Sequence, residues 1–277
     1  MNLRTVNAGY LKLDGGAMFG VVPKTLWSRI LEPDAQNRIT WAMRCLLVEQ
    51  GNRRMLIDTG MGTKQDAKFR AHFEPQGPDV LQSLAAMGLA PEDITDVLLT
   101  HLHFDHAGGA VARQGDQLLP AFPRATYWSH RDQWQWAVRP SPKDKGSFLT
   151  ENFLPLEQSG QLQFVEAGHE ILPGLWVEMA FGHTEAMLIP HMRYKNRTLV
   201  YLADLQPSVA HFPLPWVMAY DIRPLVTMQE RGLFLEKAIA EDYLLFFEHD
   251  PVNECCSLQR SERGIGAKDV FALSELG

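Results

Sequence analysis

Residues 100–109 hold the feature that most restricts how this chain can fold. Its potential metal ligands are three histidines and one aspartate within six residues: His101, His103, Asp105 and His106. Neutral imidazole and ionised carboxylate are ligands that zinc, iron and manganese accept. The cluster directly follows the apolar run 97–99, and at a strand end His101 and His103 point the same way. The pair 108–109 is Gly-Gly, which lets the backbone turn close to the site. The pattern predicts a metal site at the end of a buried strand.

Three more residues of the same chemical types follow apolar stretches further along the chain. They are His183, Asp204 and His249. A charged group at the end of a buried strand is costly unless it is paired or bound to a metal. Each of them alone is more often a satisfied polar residue than a ligand. Together with the first cluster, they indicate a site for more than one ion.

A chain of 277 residues can bury one large core or two modest ones. Because no segment resembles a linker, we expect one globular domain over residues 1–277. The net charge of −7 and the lack of a long basic run disfavour a nucleic-acid partner. No apolar run approaches the roughly 20 residues that span a bilayer, and residues 1–7 do not have the pattern of a signal peptide, so we expect a cytoplasmic protein. Cys45, Cys255 and Cys256 are an odd number with two adjacent, which does not suit a disulfide framework.

The order of apolar and helical patterns along the chain predicts an α/β sandwich. Strands are predicted at 43–49, 54–57, 96–100, 125–128, 175–180, 187–191, 198–202 and 243–247. Helices are predicted at 79–87, 130–138 and 227–241, and a capping box of Thr227 and Glu230 is expected to open the third. Most of the first forty residues are predicted to form a long loop between early strands, and residues 139–155 a loop or cap over the site.

The sequence His-Leu-His-Phe-Asp-His-Ala-Gly-Gly at 101–109 resembles the metallo-β-lactamase superfamily, and the resemblance extends over nearly the whole chain. It implies a four-layer αββα sandwich of two mixed β-sheets flanked by helices. It also implies two divalent metal ions, with Zn²⁺ expected and Mn, Fe or Co compatible with the ligands. One ion would be held by His101, His103 and His183, the other by Asp105, His106 and His249, with Asp204 bridging them.

The resemblance also assigns supporting roles and narrows the chemistry. Asp58 would support residues 100–109, called the metal loop below, by hydrogen bonding. Thr184 would orient the loop that carries His183. His103 stands where the redox-active di-iron branch has Glu, which favours hydrolysis. Asp204 stands where the best-known lactam-cleaving branch has Cys, which disfavours a true β-lactamase.

Within the superfamily, residues 101–109 look like the loop of the N-acyl homoserine lactonases. Residues 14–24 and 120–125 look like the neighbouring branch that contains lactonases and methyl parathion hydrolase. This resemblance implies an apolar substrate pocket lined by Phe19, Val22, Trp27, Trp216 and Met218. Independently of the resemblance, His211 follows Asp204 by seven residues and is a further candidate for contact with the substrate or the ligands. Lactonases carry a Tyr soon after the bridging Asp. This chain has none there, and Tyr220 is the candidate to replace it.

The expected activity is hydrolysis of a lactone, ester or organophosphate by a hydroxide that bridges the two metals. Asp105 or Asp204 would accept or relay the proton. The alternatives are a phosphodiesterase or nuclease, a thioesterase similar to glyoxalase II, and a metal-binding protein without catalysis. We expect a small-molecule substrate and neither nucleic acid nor membrane as partner. A homodimer stays open.

Overall fold

The computed structural model describes residues 1–262 and 264–276. Its strands are β1 (Asn2–Asp14), β2 (Arg38–Gln50), β3 (Arg53–Ile57), β4 (Asp96–Leu98), β5 (Val111–Gln114), β6 (Gln117–Pro120), β7 (Thr126–Ser129), β8 (Leu162–Phe164), β9 (Glu170–Leu172), β10 (Leu175–Ala180), β11 (Met187–Tyr194), β12 (Arg197–Tyr201), β13 (Leu244–Phe246), β14 (Cys255–Ser261) and β15 (Gly264–Phe271). Its α-helices are α1 (Gly15–Phe19), α2 (Lys24–Trp27), α3 (Ala67–Phe73), α4 (Val80–Ala86), α5 (Phe104–Ala107), α6 (Arg131–Val138), α7 (Leu154–Gln158) and α8 (Pro224–Ala240).

Internal contacts divide the chain into two compact units. Unit 1 consists of Met1–Leu11 and Ala42–His169, and unit 2 of Lys12–Trp41 and Glu170–Gly277. The single domain expected over residues 1–277 stays a prediction. In the ranges 1–262 and 264–276, no helix is long and apolar enough to cross a membrane.

The main sheet of unit 1 has the strand order β1-β2-β3-β4-β7-β8 and is mixed. β2 and β3 are antiparallel, whereas β3, β4, β7 and β8 are parallel neighbours. Ile57 is paired with Leu98 at the ends of β3 and β4. Because parallel strands end at the same edge of a sheet, Asp58 after β3 and the loop from Thr100 after β4 leave the sheet side by side.

The sheet of unit 2 has the order β15-β14-β13-β12-β11-β10-β9 and is also mixed. Among the described residues, its one parallel pair is β12 with β13, where Tyr201 lies opposite Phe246. The segments that follow these two strands therefore emerge at the same edge, and they carry Asp204 and His249. The expectation of two mixed sheets with helices is confirmed by the strand pairings.

Two local predictions are wrong. The first forty residues contain the 13-residue strand β1 and two short helices instead of one long loop. α8 begins at Pro224, three residues before the predicted capping box, and its N-cap residue Arg223 makes no side-chain cap. Proline suits a first helical position because its missing N–H has no partner to lose there. Thr227 therefore lies inside the helix, and Glu230 is bonded elsewhere.

Candidate metal centre

The histidine–aspartate cluster of unit 1 is buried as a group. The exposed fractions are His101 0%, His103 5%, Asp105 8% and His106 0%. Nε2 of His101 lies 3.0 Å from Nδ1 of His103, and Nε2 of His106 lies 3.8 Å from Oδ1 of Asp105. The chain turns at His103, which is the N-cap of α5, so Asp105 and His106 lie in a single helical turn. The four predicted ligands thus place their donor atoms in two close pairs, His101 with His103 and Asp105 with His106.

Asp58 holds the metal loop by three hydrogen bonds. Its Oδ1 accepts from the amide of Thr100 (2.8 Å), and its Oδ2 accepts from the hydroxyl of Thr100 (2.7 Å) and from Nδ1 of His106 (3.2 Å). The backbone of Asp58 is left-handed, with φ of 58°, a conformation uncommon outside glycine. Since Nδ1 of His106 donates to this carboxylate, Nε2 is the nitrogen that carries the lone pair able to bind a metal.

The two glycines after the ligands allow a close crossing of two loops in unit 1. A Cβ on Gly108 would lie 2.1 Å from the carbonyl oxygen of Met61, and a Cβ on Gly109 would lie 2.2 Å from that of Thr59. Any side chain at either position would overlap backbone atoms. The glycine pair therefore lets the loop after β3 pack directly against the metal loop.

Unit 2 contributes a carboxylate that faces two imidazoles. Oδ2 of Asp204 lies 2.9 Å from Nε2 of His183, and Oδ1 of Asp204 lies 3.0 Å from Nε2 of His249. The exposed fractions are 6% for Asp204 and 2% for each histidine. Ala203, directly before Asp204, has a left-handed backbone with φ of 44°. The turn after β12 thus directs one oxygen of this carboxylate at each ring.

The other ring nitrogen of His183 is bonded to Asp221, which the sequence patterns did not indicate. Nδ1 of His183 lies 2.9 Å from Oδ1 of Asp221. Burial alone would lower the pKa of His183, but the carboxylates of Asp204 and Asp221 outweigh it and raise the pKa to about 9. Asp221 follows a loop without periodicity, so no local signal pointed to it.

The residues present fit divalent transition metals. Buried imidazole nitrogens and carboxylate oxygens, in His/Asp clusters with donor atoms a few ångströms apart, form a donor set that zinc, manganese, iron and cobalt accept. Neighbouring carboxylates accept from Nδ1 of His106 and of His183. That arrangement is the usual support of metal-binding histidines.

Unit 2 holds the residues predicted to line a substrate pocket, and most of them are closed off from solvent. Phe19, Val22, Trp27 and Met218 belong to one apolar cluster with Met18, Ile39, Trp41 and Ala210, and Trp216 and Tyr220 pack against it. Phe19 and His211 are 0% exposed and Trp27 is 1% exposed. These three side chains pack in a core instead of lining an open wall. Trp216 and Tyr220 are half-buried and keep an accessible surface.

Thr184 is fully buried beside His183. Among the residues that the structure describes, its hydroxyl has no hydrogen-bond partner. The hydrogen bonds that hold the His183 loop come from other residues, namely Asp221, Arg223 and Glu230.

The chain belongs to the metallo-β-lactamase superfamily, whose family model matches residues 44–221. An N-acyl homoserine lactonase from a Bacillus species is 26% identical over 151 residues, which are 50% of this chain and 54% of that protein. The chain therefore aligns with about half the length of the curated relatives it matches.

Two solved structures share the fold over almost the whole chain. The structure of a probable metal-dependent hydrolase from Staphylococcus aureus has a TM-score of 0.89 at 29% identity, covering 98% of this chain and 96% of its own. The structure of AidC, a dizinc quorum-quenching lactonase in complex with a product, has a TM-score of 0.82 at 23% identity, covering 98% and 95%. These likenesses confirm the predicted metallo-β-lactamase fold. The Bacillus relative supports the suspected lactonase-containing branch.

Proposed function

We propose that this protein is a dinuclear metal-dependent hydrolase that cleaves a lactone, an ester or an organophosphate. Seven residues would hold the ions, as the superfamily resemblance implies: His101, His103, Asp105, His106, His183, Asp204 and His249. The proposal takes Zn²⁺ as the resident metal. When bound, two such cations supply an acidified water and an electrophile for the substrate oxygen.

The observation that carries the proposal is the double contact of Asp204. Its two oxygens lie 2.9 and 3.0 Å from imidazole nitrogens of His183 and His249. A carboxylate that only paired with one histidine would leave its other oxygen to a backbone donor or to water. A carboxylate that lies beside one proposed ligand of each ion would be placed to hold both.

The chain's own residues have separable tasks in this proposal. Asp105, in the first turn of α5, is 8% exposed and so keeps some access to solvent, which suits proton transfer. The half-buried Trp216 and Tyr220 offer an apolar surface for an acyl or aryl group. Tyr220 remains the candidate to assist at the substrate oxygen.

The test is metal content followed by a substrate panel. Purified protein should hold close to two divalent ions per chain and should hydrolyse lactones, aryl esters or phosphotriesters faster than phosphodiesters. His106→Ala and Asp204→Asn should each lower kcat/KM by at least a factor of about 100, because ligand loss removes the ion that activates water. His169→Ala is the matched control, since His169 is exposed.

Other outcomes would favour the alternatives. Preference for phosphodiesters would favour a nuclease or phosphodiesterase, although the net charge of −7 does not suit that substrate. Two bound ions without turnover of any substrate class would favour a metal-binding protein without catalysis. Preferential hydrolysis of thioesters would favour a thioesterase similar to glyoxalase II.

A further inference from the structure

Asp221 is hydrogen-bonded to the ring nitrogen of His183 that the proposed metal assignment does not use. Oδ1 of Asp221 lies 2.9 Å from Nδ1 of His183, and the opposite ring nitrogen, Nε2, faces Asp204. Oδ2 of Asp221 accepts a hydrogen bond from the amide of Met218 (3.2 Å), and the side chain is 1% exposed. Both carboxylate oxygens are therefore engaged, and the group is held in one orientation against the imidazole.

The backbone just before His183 is tied to the same part of unit 2. The carboxylate of Glu230 accepts from the amides of Phe181 (2.9 Å) and Gly182 (3.0 Å). The guanidinium of Arg223 donates to the carbonyl of Phe181 (2.7 Å). Glu230 lies in α8, and Arg223 is the residue directly before this helix. The first part of α8 and its N-cap residue therefore both hydrogen-bond to the backbone just before His183.

Backbone hydrogen bonds also connect the segment around His183 to the residues that follow Asp221. The amide of Ile222 donates to the carbonyl of His183 (3.1 Å), and the amide of Arg223 donates to that of Gly182 (2.8 Å). A Cβ on Gly182 would lie 2.2 Å from the backbone nitrogen of Thr227, so this approach requires glycine. The segments 182–183 and 222–223 are thus hydrogen-bonded to each other through their backbones, and this pairing places Asp221 beside His183.

From this arrangement we infer that Asp221 is a positioning residue for metal binding at His183. A carboxylate that accepts from Nδ1 fixes the tautomer and directs the lone pair of Nε2 towards a cation. The role would match that of Asp58 on His106 in unit 1, where Oδ2 of Asp58 lies 3.2 Å from Nδ1 of His106. The inference rests on the proposed function, because it assigns Asp221 to one of the two proposed ions.

The test is a Zn²⁺ titration of the metal-free full chain in competition with a chromophoric chelator. Wild type should show two ions per chain. Asp221→Ala should weaken one of the two sites by about 10–100-fold and leave the other unchanged, since supporting carboxylates typically contribute that much to metal affinity. Asp221→Asn keeps an acceptor oxygen for Nδ1 and should recover part of the loss. Glu236→Gln, an exposed carboxylate-to-amide change on α8, should match wild type.

Three outcomes would overturn the inference. Equal affinities for Asp221→Ala and wild type would show that the carboxylate does not act on the ligand. Equal weakening of both sites, with a lower thermal midpoint of the metal-free variant, would show a general role in folding. Wild type that binds no ion would overturn the proposed function itself and this inference with it. If Asp221→Ala does not fold, Asp221→Asn decides: a loss on the order of tenfold at one site supports the inference, and wild-type affinity at both contradicts it.

Discussion

Nε2 of His211 lies 2.9 Å from the carbonyl oxygen of Met18, a contact between residues 193 positions apart. Since a carbonyl only accepts, Nε2 carries the hydrogen, and Nδ1 is left to accept from the hydroxyl of Ser208 at 2.8 Å. The ring also stacks on Phe19, with centroids 4.6 Å apart. His211 is therefore a neutral internal link between the segment around α1 and the loop after Asp204, and both of its nitrogens are used within unit 2.

Removing this link should destabilise the protein. His211→Ala deletes two buried hydrogen bonds and leaves a cavity against Phe19, which together should lower the free energy of unfolding by about 2–4 kcal/mol. Urea unfolding of the metal-free protein measures the change. His169→Ala removes an exposed ring and should stay within about 0.5 kcal/mol of wild type. Equal stability of the two variants would contradict a structural role for His211.

The same histidine should make stability depend on pH. Burial lowers the pKa of His211 from 6.5 to about 3. As pH falls below 6.5 the unfolded chain takes up a proton that the folded chain refuses, so the contribution of His211 is complete above pH 6.5 and declines towards pH 3. In His211→Gln this dependence is absent. The stability difference between wild type and variant should shrink by up to about 1 kcal/mol per pH unit from pH 6 to 4. A stability difference between wild type and His211→Gln that stays constant over this pH range would contradict the prediction.

Metal removal should have its own signature. A cation that binds only the folded chain stabilises it by about 3 kcal/mol at 100 times its Kd. Chelation should therefore lower the thermal midpoint of wild type, and added Zn²⁺ should restore it. Asp204→Asn should show a much smaller response, whereas His169→Ala should respond like wild type. Identical midpoints of wild type with and without Zn²⁺ would count against the proposed centre.

The parts of the site that follow strand ends were predictable from sequence. Asp58, Asp204 and His249 each stand directly after or near a short apolar strand, and the parallel pairs β3–β4 and β12–β13 bring such ends to one edge of a sheet. Burial of a charged residue type at that position is a local signal that needs no knowledge of distant contacts. For this reason the strand-end pattern was enough to select Asp204 and His249 as candidates, whereas the role of Asp58 came from the family resemblance.

Other parts depend on contacts that leave no local pattern. Asp221 contacts His183 across 38 residues, and nothing in its own neighbourhood marks it as different from other loop aspartates. Glu230 shows the opposite case, because its spacing from Thr227 imitates a capping box. In the fold, the amides of Phe181 and Gly182 take the carboxylate instead, 49 and 48 residues away. Here tertiary hydrogen bonds override a valid local preference.

The glycine pair of the metal loop offers the sharpest steric prediction. In Gly108→Ala, the added Cβ would lie 2.1 Å from the carbonyl oxygen of Met61, which belongs to the backbone and is not free to rotate away. We expect a loss of several kcal/mol in the free energy of unfolding, of the size that overpacked sites show. We also expect weaker binding of Zn²⁺, because the loop that carries His106 must shift.

Gly146→Ala is the matched control, since no atom lies within 4 Å of its Cβ position. That variant should be neutral or slightly more stable, because alanine restricts the unfolded chain. Urea unfolding and chelator competition on both variants measure the two effects. Wild-type stability of Gly108→Ala would show that the two loops do not cross as closely as described.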